Sequence, residues 1–114
     1  MSYDYFFFAR PADGSPPKLE TLGQDVVPLG SPDEVMKGID AVFPALAWQP
    51  PQGAIRAWFG NGKCGQAEFL MSAETNGLVT SFKAAYIERE EVDALAAQMR
   101  LTVFDPQSGE CYAP

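Results

Sequence analysis

The sequence predicts an α+β domain in which a mostly antiparallel sheet, in the order β-α-β-β-β-α-β-β, carries two helices packed on one face. Three observations predict it. The run 3–9 is bulky and apolar on both of its alternating sides, which is typical of an interior strand covered on each face. Two segments, at about 32–43 and from Glu88 onward, place apolar residues at helical spacing. The alternating runs between these segments are separated by Asn-Gly turn signals.

A single domain spanning 1–114 is expected, because 114 residues support one hydrophobic core and are too few for two. No apolar run reaches the roughly 18 residues that a membrane-spanning helix requires. The first residues lack a basic stretch followed by an apolar one, so no export signal is predicted. A cytoplasmic location is therefore expected.

The charge balance narrows the classes of partner. The net charge is −7, from fifteen acidic against eight basic residues, which weighs against binding to nucleic acid and to anionic membranes. The balance fits either simple solubility or a protein partner with a basic face. Histidine is absent, which removes the commonest general base and the commonest metal ligand. The two cysteines, Cys64 and Cys111, are expected to be free thiols.

The first helix has the clearest boundaries in the chain. Ser31 is a good N-cap residue, Pro32 suits the first helical position, and Glu34 completes a capping box. Pro44 ends the helix, because the residue before a proline avoids the helical conformation. The helix is therefore predicted from about 32 to 43.

A proline-rich connection carrying Trp48 and a three-stranded meander are predicted to follow. Two turns, centred on Gly60-Asn61-Gly62-Lys63 and on Glu74-Thr75-Asn76-Gly77, separate its strands. The strands are expected at 54–59, 64–71 and 78–86.

The second helix is predicted to begin near Glu88. Acidic residues crowd its first turn, where the helix dipole favours negative charge. Strands at 101–105 and 110–112, joined by a tight turn at 105–109, are expected to complete the sheet.

Eight residues are candidates for binding a protein partner. Exposed carboxylates suit a basic face, and tryptophan is a typical anchor of an interface. Trp48 is predicted in a loop and Trp58 on the less apolar side of its strand, with ordinary core packing as the competing interpretation for both. No residue is predicted to be catalytic, to ligate a metal or to hold a cofactor. The candidates are Asp33, Asp40, Trp48, Trp58, Glu88, Glu90, Glu91 and Asp93.

An alternative interpretation uses carboxylates for chemistry or ligand binding. Asp4 and Asp105 approach each other if the first and penultimate strands are neighbours. Asp105 also precedes a proline in a turn, where an aspartate commonly caps its own backbone. Cys64 has no histidine partner, and the glycines at 60–63 lack the spacing of a phosphate-binding loop.

Three segments stand out together: Met-Ser-Tyr-Asp-Tyr-Phe-Phe-Phe at 1–8, the helix running into Phe-Pro-Ala-Leu at 43–46, and Leu-Thr-Val-Phe-Asp-Pro-Gln-Ser-Gly-Glu at 101–110. The set resembles a group of small bacterial single-domain proteins, some of which look like cytoplasmic immunity proteins encoded beside secreted polymorphic toxins. The resemblance implies a toxin partner and supplies no catalytic residues. Arg100 departs from the pattern, which tends to place glycine between the last helix and the strand.

Two hypotheses of different classes follow. The first is a cytoplasmic immunity protein that binds and blocks a cognate secreted bacterial toxin, whose active-site face is expected to be basic, with no catalysis of its own. The second is a small carboxylate-using ligand-binding protein or enzyme of unknown substrate. A homodimer with a purely structural role is a third possibility.

Overall fold

A computed structural model describes residues 4–10, 27–44, 46–49, 57–62 and 67–114. The described helices and strands form an α+β domain, as predicted, with one strand more between the two helices than the predicted order has. In chain order they are β1 (Asp4–Ala9), α1 (Pro32–Val42), β2 (Ala47–Gln49), β3 (Ala57–Asn61), β4 (Glu68–Ala73), β5 (Val79–Ala85), α2 (Arg89–Met99), β6 (Leu101–Asp105) and β7 (Glu110–Tyr112).

The seven described strands form one antiparallel sheet in the order β2-β3-β4-β5-β1-β6-β7. The first strand, β1, is interior as predicted, since it pairs with β5 on one side and with β6 on the other. Tyr5 and Phe7 of β1 are buried in the core, and the Phe7 ring stacks on Phe82 with 4.7 Å between ring centroids. On the opposite face of the sheet, Phe6 and Phe8 are half-buried.

Both helices pack on the same face of this sheet, as the sequence predicts. Gly38 of α1 lies against Met99 of α2, where a β-carbon at position 38 would come within 2.7 Å of the Met99 methyl carbon. The two helices therefore approach each other closely over one shared core. The helical residues that this core buries are Val35, Ile39, Val92, Leu95 and Ala96.

Residues next to each end of α1 determine where the helix begins and ends. The Glu34 N–H donates to Ser31 Oγ at 3.2 Å, and the Ser31 N–H donates to Glu34 Oε1 at 3.1 Å, which completes the predicted capping box. These hydrogen bonds from Ser31 lower the pKa of the Glu34 carboxyl below its ordinary value. The helix ends at Val42, one residue short of the predicted boundary, with Pro44 just beyond.

The prediction of a loop around Trp48 was wrong, because Trp48 is the middle residue of the edge strand β2. The prolines on either side, Pro44 and Pro50, favoured a loop in the prediction, and the strand between them has only three residues. An edge strand tolerates nearby proline, since one side of its backbone needs no partner in the sheet.

The turn predicted at 60–63 was also misplaced, because Gly60 and Asn61 belong to β3. Gly60 pairs with Trp48 on one side and with Phe69 on the other. A β-carbon at Gly60 would lie 2.8 Å from Trp48 Cζ3, so glycine serves a close packing contact here and not a turn. The predicted turn residue Lys63 and the strand residues 54–56 and 64–66 lie outside the described residues.

Arg100, between α2 and β6, adopts the left-handed conformation with φ 56° and ψ 58°. A residue with a β-carbon is strained there by about 1 kcal/mol, whereas glycine is not. We expect Arg100→Gly to raise the free energy of unfolding by roughly 0.5–1 kcal/mol, the gain being limited by the extra freedom of glycine in the unfolded chain. Urea denaturation measures the change.

The matched control for this substitution is Gln98→Gly, at an exposed position inside the same helix. It should lower the free energy of unfolding by about 1 kcal/mol, because glycine is a poor helix former. Equal losses of stability in both variants would contradict the assignment of strain to Arg100.

Candidate partner-binding surface

One end of the sheet collects carboxylates that are far apart in the sequence. Asp4 begins β1 and Glu68 begins β4, and both pair with Ala85, the last residue of β5. From Ala85 the chain turns directly into α2, whose first turn is acidic and exposed. The antiparallel pairing therefore places both strand starts and the helix start at the same end of the molecule. We call this surface the acidic end and define it by Asp4, Glu68, Tyr86, Glu88, Glu90 and Glu91.

Tyr86 is an exposed aromatic residue within the acidic end. It is 54% exposed, and among the described large apolar side chains the only other exposed one is Val27, at 40%. Its backbone is left-handed, with φ 59°, and its carbonyl accepts a hydrogen bond from the Ala67 N–H at 3.1 Å. The left-handed residue turns the chain out of β5 toward α2 while this hydrogen bond ties the turn to the start of β4.

Arg89, the first residue of α2, is surrounded by carboxylates. Its guanidinium nitrogens lie 3.5 Å from Asp93 Oδ1, 3.9 Å from Asp105 Oδ2 and 3.5 Å from Glu110 Oε2. Its Cζ atom also lies 4.4 Å from the centroid of the Tyr112 ring, a cation–π distance. Arg89 thus ties the start of α2 to the β6–β7 hairpin. Asp93, a predicted partner-binding residue, takes part in this internal network.

Tyr112 completes the same network, because its hydroxyl donates to Asp93 Oδ1 at 2.7 Å. Burial raises the pKa of the phenol above its ordinary value of 10.0, and the hydrogen bond to the Asp93 carboxylate raises it further. The folded protein therefore holds this proton more tightly than the unfolded chain does. The resulting stabilisation is complete below about pH 10 and is lost as the pH rises toward the folded pKa.

We expect the free energy of unfolding to fall with rising pH above about 10, and the fall to be smaller in Tyr112→Phe, which has no proton to lose at this position. The measurement is urea denaturation of both proteins at about pH 9 and about pH 11. Subtracting the pH dependence of the unfolding free energy of one protein from that of the other removes the contribution of the groups that titrate in both. Identical pH dependences in both proteins would show that Tyr112 does not carry the effect.

Two of the predicted partner-binding residues, Asp40 and Trp48, contact each other. The Trp48 indole N–H donates to Asp40 Oδ1 at 2.9 Å, which joins β2 to α1. The Trp48 ring is half-buried and lies 6.3 Å from the Phe69 ring, centroid to centroid. This pair holds the edge strand to the helix, which agrees with the packing interpretation of Trp48. Asp33, in the first turn of α1, is exposed.

The acidic residues of α1 and of α2 lie in different places. The helices cross where Gly38 meets Met99, close to Asp40 in α1 but at the far end of α2 from Glu90. Glu90 precedes Met99 by nine residues, which corresponds to roughly 13 Å along the helix axis. The eight predicted residues therefore do not form one surface.

Trp58 lies on the side of the sheet that the helices cover, although its strand is less apolar on that side in sequence. Its cross-strand partner is Met71, which is buried, and Trp58 itself is half-buried against the core. In the sequence, this side was judged less apolar because Arg56 shares it with Trp58. Ile55 and Arg56, which entered the comparison of the two sides, lie outside the described residues.

Asp4 and Asp105 lie on neighbouring strands but on opposite faces of the sheet. Asp4 shares a face with Phe6, whose partner in β6 is Phe104, and Asp105 follows Phe104 on the other face. Asp105 is 1% exposed, and its Oδ1 accepts the Gln107 N–H at 3.0 Å. The predicted role of Asp105 in capping its own turn is confirmed.

Over the described ranges, no group of three or more cysteine, aspartate or glutamate residues could hold a metal ion. None of the helices in the described part of the chain has the length and apolar character needed to cross a membrane. Cys111 is a free, half-buried thiol whose pKa is raised by burial. Cys64 lies outside the described residues.

Comparison with known proteins returned no match of this chain to a family model, to a curated protein or to a solved structure.

Sequence reasoning missed three residues of the acidic end: Asp4, Glu68 and Tyr86. Asp4 was considered only as a partner for Asp105, and Glu68 and Tyr86 only as members of predicted strands. The available signal was the predicted order of the strands, because an antiparallel meander returns the end of each strand to the start of the next. The missing information was that β5 pairs with β1, which brings Asp4 beside Ala85.

Proposed function

We propose that this protein binds a basic protein partner through the acidic end, and that the partner is a cognate bacterial toxin which it blocks without chemistry of its own. The observation that supports this proposal is that five carboxylates, from the starts of β1 and β4 and from the start of α2, lie at the same end of the sheet as the exposed Tyr86. The toxin as the class of partner, and a cytoplasmic location, come from the resemblance in the three segments at 1–8, 43–46 and 101–110.

Opposite charges on the acidic end and on the partner attract each other over a long range before the two proteins touch. A surface with an excess of one charge speeds the association of a partner of the opposite sign and disfavours wrong partners. The cation at this end, Arg89, is paired with Asp93, Asp105 and Glu110, so the excess of carboxylates is kept. A toxin that handles nucleic acid or nucleotides needs a basic cleft to hold phosphates. Carboxylates set at one end of a rigid sheet can occupy such a cleft in place of phosphates and exclude the substrate.

The acidic end fits this role better than α1 does. Asp40 accepts the Trp48 N–H, and Asp93 is engaged by Arg89 and Tyr112, so each has an internal partner. Glu90 is exposed in the first turn of α2. Glu88 and Glu91 form the capping box of that helix, in which the Glu88 N–H donates to Glu91 Oε1 at 2.9 Å, but both residues are exposed, whereas Asp40 and Asp93 are half-buried. We therefore narrow the predicted partner-binding set to Glu88, Glu90 and Glu91 and add Asp4, Glu68 and Tyr86.

The alternative function, in which carboxylates bind or act on a ligand, was based on Asp4 and Asp105 lying at one site. General acid–base work by two carboxylates needs both of them at one site. Asp4 and Asp105 face opposite sides of the sheet, and Asp105 is engaged by Gln107 and Arg89. The pair is therefore not supported as a site for a substrate.

Co-expression tests the proposed function. The product of the gene immediately upstream is expressed with and without this protein, and growth is scored. We expect the neighbour to inhibit growth alone, to be harmless in the presence of this protein, and to co-purify with it in a one-to-one complex. A neighbour that is harmless by itself, or a toxic one that this protein neither binds nor neutralises, would contradict the proposal.

A further inference from the structure

We propose that Tyr86 is the anchor of the acidic end, inserting into an apolar pocket of the partner whose rim is basic. This inference rests on the proposed function and names the contact through which it works. From the sequence, Trp48 or Trp58 was expected to be the anchor, but both pack against the core and are half-buried.

The side chain of Tyr86 is exposed, unlike those of the other described tyrosines. Tyr86 leaves 54% of its surface in water, whereas Tyr5 is buried and Tyr112 is half-buried within the Arg89 network. Covering an exposed aromatic ring releases water from a large apolar area, and its hydroxyl can still find a partner at the edge of a pocket. Tyrosine is accordingly among the residues that contribute most at interfaces.

The backbone of Tyr86 is held in place by hydrogen bonds. Tyr86 has φ 59° and Ala67 has φ 61°, and the Ala67 N–H donates to the Tyr86 carbonyl at 3.1 Å. The Gly62 N–H in turn donates to the Ala67 carbonyl at 2.9 Å. The backbone of Tyr86 is thus held between the sheet and α2, so binding has to order only its side chain.

Carboxylate residues lie next to Tyr86 in the sheet and in the sequence, and their charge selects the partner. Glu68 follows Ala67 at the start of β4, Asp4 pairs with Ala85, and Glu88 is two residues beyond Tyr86. An aromatic centre with a carboxylate rim matches a pocket bordered by lysine or arginine and repels anionic surfaces. The occupant that fits is therefore a basic protein surface.

The test compares Tyr86→Asn with a matched control, Val27→Ala, which also truncates an exposed apolar side chain. Asparagine tolerates the left-handed backbone, so the variant is expected to fold. The probe is the purified product of the upstream gene, titrated calorimetrically. We expect Tyr86→Asn to raise Kd at least tenfold, Tyr86→Phe to retain most of the affinity because the ring remains, and Val27→Ala to leave Kd unchanged.

The outcomes separate the anchor from the function. A wild-type complex whose Kd is unchanged by Tyr86→Asn would overturn the anchor and leave the proposed function standing. A wild-type protein that forms no complex with the probe would overturn the proposed function, and the anchor with it. A thermal unfolding scan of each variant confirms that a loss of affinity does not reflect a loss of fold.

Discussion

Phe7→Ala is expected to lower the free energy of unfolding by about 3–5 kcal/mol, which is the usual range for deleting a fully buried aromatic side chain. Phe7 is 0% exposed and lies in an interior strand of the sheet, between β5 and β6. Its ring stacks on Phe82, so the substitution removes both buried apolar area and an aromatic contact, and it leaves a cavity under the helices. Urea denaturation monitored by tryptophan fluorescence measures the loss.

The matched control is Phe8→Ala, one residue further along the same strand but on the face away from the helices. Phe8 is half-buried, so its removal costs less transfer free energy and creates no enclosed cavity. The loss should be clearly smaller than for Phe7→Ala. A larger loss for Phe8→Ala would mean that the main core lies on the other face of the sheet.

Asp105→Ala is expected to lower the free energy of unfolding by roughly 2–3 kcal/mol, because it removes charge-assisted contacts from a buried position. Asp105 Oδ1 accepts the Gln107 N–H, and Oδ2 lies 3.9 Å from the Arg89 guanidinium. Without these contacts the turn between β6 and β7 loses its cap and α2 loses one of its ties to the hairpin. The change is measured by the same denaturation experiment.

Asp105→Asn is the control that separates the hydrogen bond from Gln107 from the charge beside Arg89. The amide oxygen of asparagine can still accept the Gln107 N–H, whereas the negative charge beside Arg89 is gone. We expect a smaller loss than with alanine. If asparagine proves as damaging as alanine, the charge beside Arg89 carries the stabilisation and the turn contributes little.

Local signals predicted those parts of the fold that local chemistry determines. The capping box at Ser31 and Glu34 located the start of α1, and apolar bulk on both sides of β1 indicated its interior position. Strands β6 and β7 have the predicted bounds, because the side chain of Asp105 caps the turn that joins them. Strand β2 escaped prediction because three residues are too few for an alternating pattern to appear.

The candidate surface was less predictable because it depends on pairing between distant segments. The acidic start of α2 is visible in the sequence, and it was identified there. Asp4 and Glu68 join it only through the register of β1 and β4 against β5, which no local pattern encodes. The exposure of Tyr86 likewise depends on a left-handed residue at the end of β5, a conformation that tyrosine itself does not signal.

The most direct test of the acidic end compares two double variants that change the net charge equally. Glu68→Gln with Glu90→Gln removes two carboxylates from the acidic end, whereas Asp33→Asn with Glu74→Gln removes two exposed carboxylates from α1 and from the turn at the opposite end of the sheet. The affinity for the purified product of the upstream gene is measured over a range of salt concentrations. We expect the first pair to weaken binding and to reduce its salt dependence, and the second pair to leave both unchanged. The reverse result, with binding weakened only by the second pair, would place the partner elsewhere and contradict the assignment.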